Sequence, residues 1–226
     1  YTSGTTGLPK GAMVSHVNLE MHGYNEMIAD ASRRDDINLV STPIYHVGAV
    51  FVAMTYMMLG CTQVIVPKFD PAMWLKTMAE SRATVALLIP TMINAVLHHP
   101  DCDATDLTAL RLIFYGGGPM PPAVLERAMN RLRCAFTQGY GLTETLEATF
   151  LTADDHVLGG TPLQQTRLAS AGREAVGAEV RIVDDAGNNL PTNQVGEILV
   201  KSRSVIAGYW KMPEETLRSI KNGWFY

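Results

Sequence analysis

Leu112-Ile113-Phe114-Tyr115-Gly116-Gly117-Gly118-Pro119 is a short apolar run that stops at three glycines. Four apolar residues ended by Gly and Pro read as a buried strand entering a tight turn. Pro121-Pro122 then opens a helix over Ala123–Leu132, because Pro is pre-shaped for a first helical turn. Ala135-Phe136-Thr137 is the next strand, followed by Gly139-Tyr140-Gly141. Strand, turn, helix and strand in this order predict an α/β fold, with mostly parallel sheets covered by helices.

The same alternation extends upstream. Thr84 to Ile89 is apolar, partly β-branched and ended by Pro90, which suits a strand buried on both faces. Asp70-Pro71 caps and opens a helix running through Met78. Ser15 caps another helix, on which Val17, Met21, Tyr24 and Ile28 recur along one face. From Asn38 to Pro67 there is no Lys, Arg, Asp or Glu. Within it, Gly60-Cys61-Thr62-Gln63 ends a helix, and Val64-Ile65-Val66 is a short buried strand rather than the end of a membrane span. His98-His99 point apart at i,i+1 and read as a helix end, not a metal pair.

Downstream of about residue 150 the pattern changes. Thr152 to Ala171 is polar and Gly-containing and reads as a long surface loop. Glu179–Val183, Gly196–Lys201 and Val205–Tyr209 read as short antiparallel strands, the first two joined through the turn Asp184–Asn188. The expectation is an α/β subdomain over 1–170 and a small, barrel-like antiparallel subdomain over 171–226.

The 226 residues carry a net charge of −4, 47% apolar residues and 18% charged residues. Such a chain buries a core, and without a stripe of Lys and Arg it does not suit nucleic acid. Three widely spaced cysteines, Cys61, Cys102 and Cys134, form neither a disulfide framework nor a zinc pattern. They fit a reducing compartment, so the expected location is cytoplasmic.

The chemistry begins in the loop Tyr1-Thr2-Ser3-Gly4-Thr5-Thr6-Gly7-Leu8-Pro9-Lys10-Gly11. Glycines let backbone approach a ligand, hydroxyls donate hydrogen bonds, and Lys10 adds a point charge. Together they suit phosphate oxygens. The loop departs from the Gly-x4-Gly-Lys-Ser/Thr pattern, since Pro9 stands at the second Gly and Gly11 follows Lys10.

Continued through Ala12-Met13-Val14-Ser15-His16, this loop resembles the phosphate-loop signature of AMP-forming acyl-CoA synthetases and related adenylation enzymes, most of all the medium/long-chain fatty-acid ligases. Pro43-Ile44-Tyr45-His46 resembles the family's acyl-pocket motif, and Tyr115 to Pro119 its adenine-binding turn. Gln138-Gly139-Tyr140-Gly141-Leu142-Thr143-Glu144 resembles its central adenylation motif. Gly172-Arg173, Gly196-Glu197-Ile198, Gly208-Tyr209-Trp210 and Gly223-Trp224 are similar to its later signatures.

The resemblance implies activation of a carboxylic acid by ATP and Mg²⁺ to acyl-AMP, then thioester formation with coenzyme A. It implies that Thr2, Ser3, Gly4, Thr5, Thr6, Gly7 and Lys10 hold the outer phosphates. Gly116, Gly117, Gly118 and Pro119 would receive adenine, Gln138, Gly139 and Gly141 would frame it, and Tyr140 would stack on it. Thr143 would bond the α-phosphate and Glu144 would ligate Mg²⁺. His46 would orient the carboxylate or gate the thiol, a task suited to an imidazole that changes charge near neutral pH.

Val47 to Met54 is wholly apolar, and no Asp occurs between Asp36 and Asp70. An ammonium entering a dry pocket needs an acidic partner, so an amino-acid substrate is disfavoured and a fatty acid leads an aryl acid. Gly118 stands where the family commonly has Ala or Ser, which would slightly enlarge the pocket. An acyl-carrier protein as acceptor, or a non-catalytic nucleotide-binding module, are the alternatives. The resemblance places the ribose-binding Asp just beyond Gly223-Trp224, and the catalytic Lys on a later lid domain. The sequence therefore reads as an internal piece of a longer enzyme, inactive by itself, of unassigned oligomeric state.

Overall fold

The computed structural model describes residues 1–3 and 8–226. In chain order the elements are β1 (Thr2–Ser3), β2 (Pro9–Lys10), α1 (His16–Ala29), β3 (Ile37–Val40), α2 (Val47–Met58), β4 (Thr62–Ile65), α3 (Pro71–Ser81), β5 (Val85–Leu88), α4 (Pro90–His98), β6 (Leu112–Gly116), α5 (Pro122–Leu132), β7 (Ala135–Leu142) and β8 (Leu146–Leu151). There follow α6 (Pro162–Leu168), β9 (Arg173–Glu174), β10 (Ala178–Val183), β11 (Glu197–Ser202), α7 (Pro213–Ser219), β12 (Ile220–Lys221) and β13 (Trp224–Phe225). They form two compact units that are discontinuous in sequence. The first comprises Tyr1–His22, Gly141–Thr149 and Arg173–Tyr226; the second comprises Gly23–Tyr140 and Phe150–Gly172. The sequence reading instead places one boundary near residue 170.

In the second unit, β4, β3, β5, β6 and β7 lie side by side in that order, and every pairing among them is parallel. β5 is an inner strand and is buried along its whole length, as its apolar run requires. Trp74, Leu75 and Met78 of α3, Ile93 and Leu97 of α4, and Leu125, Ala128 and Leu132 of α5 pack on Leu88, Ile113, Tyr115 and Phe136. The local start signals hold. Asp70 Oδ1 accepts from Met73 N at 2.9 Å, and Ser15 Oγ accepts from Asn18 N at 3.2 Å. β4 differs from expectation. It lies at the sheet edge and Ile65 is 68% exposed, because only one neighbour covers it.

Helix α1 forms, but its apolar stripe turns outward. Val17, Tyr24 and Ile28 are exposed, whereas Asn18, His22, Asn25 and Glu26 are buried. Two residues of that polar face, Asn18 and Glu26, find hydrogen-bond partners inside. Asn18 Nδ2 donates to the carbonyls of Arg203 and Val205 at 2.7 and 2.9 Å, and Glu26 Oε2 accepts from Thr55 Oγ1 at 2.6 Å. Burial, with Glu26 nearby, raises the carboxyl of Asp30 well above the ordinary range. Burial alone would raise Asp36 too, but hydrogen bonds from Arg111, the Arg33 backbone and Thr84 hold it below that range.

The segment expected as a loop after Thr152 contains a turn of 3₁₀ helix over Ala153–Asp155 and then α6. Thr161 and Gln164 form a reciprocal capping box and Pro162 starts the helix, a signal already present in the residues. In the first unit, β10, β11, β13 and β12 form the antiparallel sheet, closed over Val183, Leu199 and Trp224. Val205–Tyr209 is not a strand of it. That segment runs beside residues 11–13 instead: Met13 N donates to Gly208 O at 2.9 Å and Trp210 N to Gly11 O at 2.7 Å. Among the described residues no helix is long and apolar enough to cross a membrane.

Candidate active site

In the second unit the parallel strands send their carboxyl ends to one edge of the sheet, the edge at which open α/β sheets receive ligands. Three of the singled-out segments follow such ends. The turn from Gly116 closes β6, Gln138–Tyr140 belongs to β7, and Pro43–His46 follows β3. Parallel register sets Tyr115 opposite Gln138 and Gly116 opposite Gly139.

The three glycines are there for different reasons. A Cβ on Gly116 would sit 2.6 Å from the Gly139 carbonyl oxygen, so this glycine serves strand packing. Gly117 has φ +72°, a left-handed backbone that glycine adopts without strain. A Cβ on Gly118 would meet nothing within 4 Å, so no atom of the described residues requires glycine there. The Tyr115 side chain locks the strand end from within. His156 Nδ1 donates to the Thr152 carbonyl at 2.8 Å, so Nε2 accepts from the Tyr115 hydroxyl at 3.0 Å. Burial lowers the His156 pKa and raises that of Tyr115, so the pair is neutral. His46 is the exposed N-cap of α2, its Nδ1 accepting from Gly48 N at 3.3 Å. Tyr140 is half-buried.

The first unit holds the charged residues. β1 and β2 pair antiparallel, with Thr2 opposite Lys10 and Ser3 opposite Pro9. Gly4, Thr5, Thr6 and Gly7 lie outside the described residues. Lys10 is buried at 8% exposure; its Nζ stands 2.9 Å from Glu215 Oε1 and 4.5 Å from the centre of the Tyr209 ring. The Tyr209 hydroxyl donates to Glu144 Oε1 at 2.8 Å. Hydrogen bonding from Lys10 lowers the Glu215 pKa, and burial, followed by the Glu144 carboxylate, raises that of Tyr209.

Thr143 and Glu144 occupy the turn between β7 and β8. That turn depends on Gly141, where a Cβ would fall 1.7 Å from the Leu146 carbonyl oxygen. Thr145 Oγ1 accepts from Leu142 N at 3.0 Å, and the Glu144 carbonyl accepts from Ile206 N at 2.9 Å, which fixes the turn at both ends. The cluster therefore offers a held ammonium and a carboxylate with one oxygen already bonded. A single protein carboxylate fits Mg²⁺, which takes its other ligands from phosphate and water.

The sequence model of the AMP-binding enzyme family matches residues 1–210. The chain belongs to the AMP-binding enzyme family. It is 34% identical over its whole length to a feruloyl-CoA synthase of Amycolatopsis sp, of which it covers 45%. It is also 34% identical to the medium/long-chain fatty-acid–CoA ligase FadD8 of Mycobacterium tuberculosis, of which it covers 38%. The amide bond synthetase McbA of Marinactinospora thermotolerans superposes with a TM-score of 0.89 and 31% identity, over 99% of this chain and 44% of that one. ATP-bound MatB of Rhodopseudomonas palustris gives 0.86 and 33%, over 100% and 43%. The chain spans less than half the length of these relatives. As an AMP-binding enzyme chain it has the expected α/β fold with a small antiparallel sheet.

Three positions absent from the site expected from sequence emerge in the structure. Tyr209 and Glu215 hold Lys10, and His156 holds Tyr115. Gly208-Tyr209-Trp210 carried a signal as a family signature. Glu215 and His156 carried none, because their partners lie 205 and 41 residues away.

Proposed function

We propose that the intact protein containing this chain activates a carboxylic acid with ATP and passes the acyl group to coenzyme A. The observation that carries this reading is the cluster of Lys10, Tyr209 and Glu144 in a chain of the AMP-binding enzyme family. In the first half-reaction a carboxylate oxygen bonds to the α-phosphorus of ATP, and the bond to pyrophosphate breaks. Charge grows on phosphoryl oxygens, so oriented donors and cations do most of the work. Lys10 holds the outer phosphates, with Thr2, Ser3 and the loop residues Gly4 to Gly7. Thr143 donates to the α-phosphate. Glu144 holds Mg²⁺, which supplies positive charge to the phosphates when bound.

The bare backbone of Gly117 and Gly118 receives adenine beside Pro119, Tyr140 stacks on it, and Gln138, Gly139 and Gly141 complete the frame. His46 orients the substrate carboxylate. In the second half-reaction the thiol sulfur of coenzyme A bonds to the acyl carbon, AMP leaves, and the thiol proton is released. The 171–226 region acts as the smaller subdomain of a larger nucleotide-binding domain.

A fatty acid is the proposed substrate. Val47 to Met54 is uncharged, and the helix α2 it begins buries Ala49, Phe51 and Val52. An aryl acid is the second reading, favoured by feruloyl-CoA synthase at the same identity as the fatty-acid ligase. ATP–pyrophosphate exchange by the intact protein, run with fatty, aryl and amino acids, decides between them. The expected outcome is exchange with fatty acids and AMP release that requires coenzyme A. Exchange with an amino acid alone would overturn the reading.

A further inference from the structure

We infer that Tyr209 is a positioning residue that couples the phosphate-holding lysine to the metal-holding carboxylate. This rests on the proposed function. The ring is fixed before any ligand arrives. Tyr209 is 3% exposed, its backbone bridges to Ala12, and its N–H donates to Thr216 Oγ1 at 2.9 Å. Gly208 permits that approach: its φ is +141°, and a Cβ there would sit 2.6 Å from Thr216 Cγ2. So fixed, the ring gives its face to the Lys10 ammonium and its hydroxyl to Glu144 Oε1.

Each contact has a separate consequence. The ring face and Glu215 confine a flexible four-carbon side chain, so its rotamer freedom is lost before phosphate binds. The hydroxyl donates its hydrogen bond to Oε1, which holds the carboxylate in one orientation and leaves its second oxygen outside that bond. Glu215 and Thr216 are adjacent on α7, so one short helix fixes both the lysine and the tyrosine.

Removing the hydroxyl alone separates the two functions. In the intact protein, Tyr209→Phe keeps the ring beneath Lys10 and frees Glu144. ATP binding is titrated with Mg²⁺ and again in EDTA. The gain in ATP affinity caused by Mg²⁺ is expected to fall about tenfold, the scale of one hydrogen bond to a charged group. Affinity in EDTA is expected to stay within about twofold, while Tyr209→Leu lowers it about fivefold through loss of the cation–π contact. In a Glu144→Gln background, Tyr209→Phe is expected to change nothing further. An unchanged Mg²⁺ gain in Tyr209→Phe, or a loss of equal size in the Glu144→Gln background, overturns the inference. Tyr209→Phe keeps the test valid if Tyr209→Leu does not fold. Failure of the wild-type protein to exchange pyrophosphate with any carboxylic acid overturns the proposed function instead, and these binding titrations still decide the role of Tyr209.

Discussion

The end of strand β6 and the turn after β7 are both short, glycine-bearing and set beside buried tyrosines, yet they are held by opposite means. At β6 the lock is neutral: Tyr115 donates to a buried imidazole whose other nitrogen is committed to a backbone carbonyl. At the β7–β8 turn the lock is charged: Tyr209 stands between an ammonium and a carboxylate. The neutral lock shapes a surface and leaves Gly117 and Gly118 bare. The charged one keeps ions fixed where phosphate chemistry would need them. The first is vulnerable to acid, which protonates imidazole; the second is vulnerable to loss of any one charge.

The comparison breaks most severely at Gly141. A methyl group 1.7 Å from the Leu146 carbonyl forces the hairpin apart, so Gly141→Ala is expected to cost about 3–5 kcal/mol. Denaturant unfolding of the intact protein measures it. Next in size is Lys10→Met. It should lower ATP–pyrophosphate exchange about 10²–10³-fold, as loss of a preorganised charge donor does. The fold should hold, because Glu215, left without Lys10, keeps partial access to water. Exchange rate and melting curve together check this, and an unchanged rate would remove Lys10 from the phosphate site.

How much of this was legible follows from the range of each interaction. Asp70-Pro71 and Pro121-Pro122 start helices through contacts within one turn, so the sequence reveals them. The buried run of β5 is equally local. The stripe Val17, Met21, Tyr24, Ile28 gives a helical period but not the side that faces inward. That side was decided by Arg203, Val205 and Thr55, far along the chain. Thr143, Glu144 and Lys10 could be singled out because they lie in recognisable motifs, whereas Glu215 could not. Helix α6 was missed despite a legible capping box, because Gly159-Gly160 and the polar composition outweighed it. Val205–Tyr209 has the composition of a strand but spends its backbone bonds on Met13 and Glu144.

The neutral lock makes its own prediction in pH. Burial lowers the folded-state pKa of His156 below its ordinary 6.5, so the unfolded chain binds the proton first as pH falls. The His156 contribution to stability should be level above about pH 6.5 and fall below it, by at most about 1.4 kcal/mol per unit, until the folded imidazole also titrates, while the buried Asp30 carboxyl, whose pKa is raised, contributes a slope of opposite sign. The Asp36 carboxylate contributes only at much lower pH, since its pKa is held down. Melting of the intact protein and of His156→Gln between pH 7 and 5 checks this: the stability difference between the two should shrink as pH falls, and a difference that stays constant would remove His156 from the pH dependence. Tyr115→Phe leaves the buried Nε2 without a donor and should cost about 1–3 kcal/mol at neutral pH.

The smallest effect on stability, and the finest test of the neutral edge, is expected at Gly118. Gly116→Ala and Gly117→Ala each meet an obstacle in the protein itself, a carbonyl oxygen at 2.6 Å and a φ of +72°. Gly118→Ala meets neither, so its stability should stay within about 0.5 kcal/mol of the wild type. Any change in activity must then come from the ligand side. If Gly118 stands between the adenine and acyl subsites, an added methyl group should shift acid preference toward shorter or narrower chains, by about 10-fold or more per methylene. Relative kcat/KM across a series of acids measures the shift. A loss of stability with unchanged preference would mean that the bare backbone at Gly118 serves the fold, as it does at Gly116, and not the ligand.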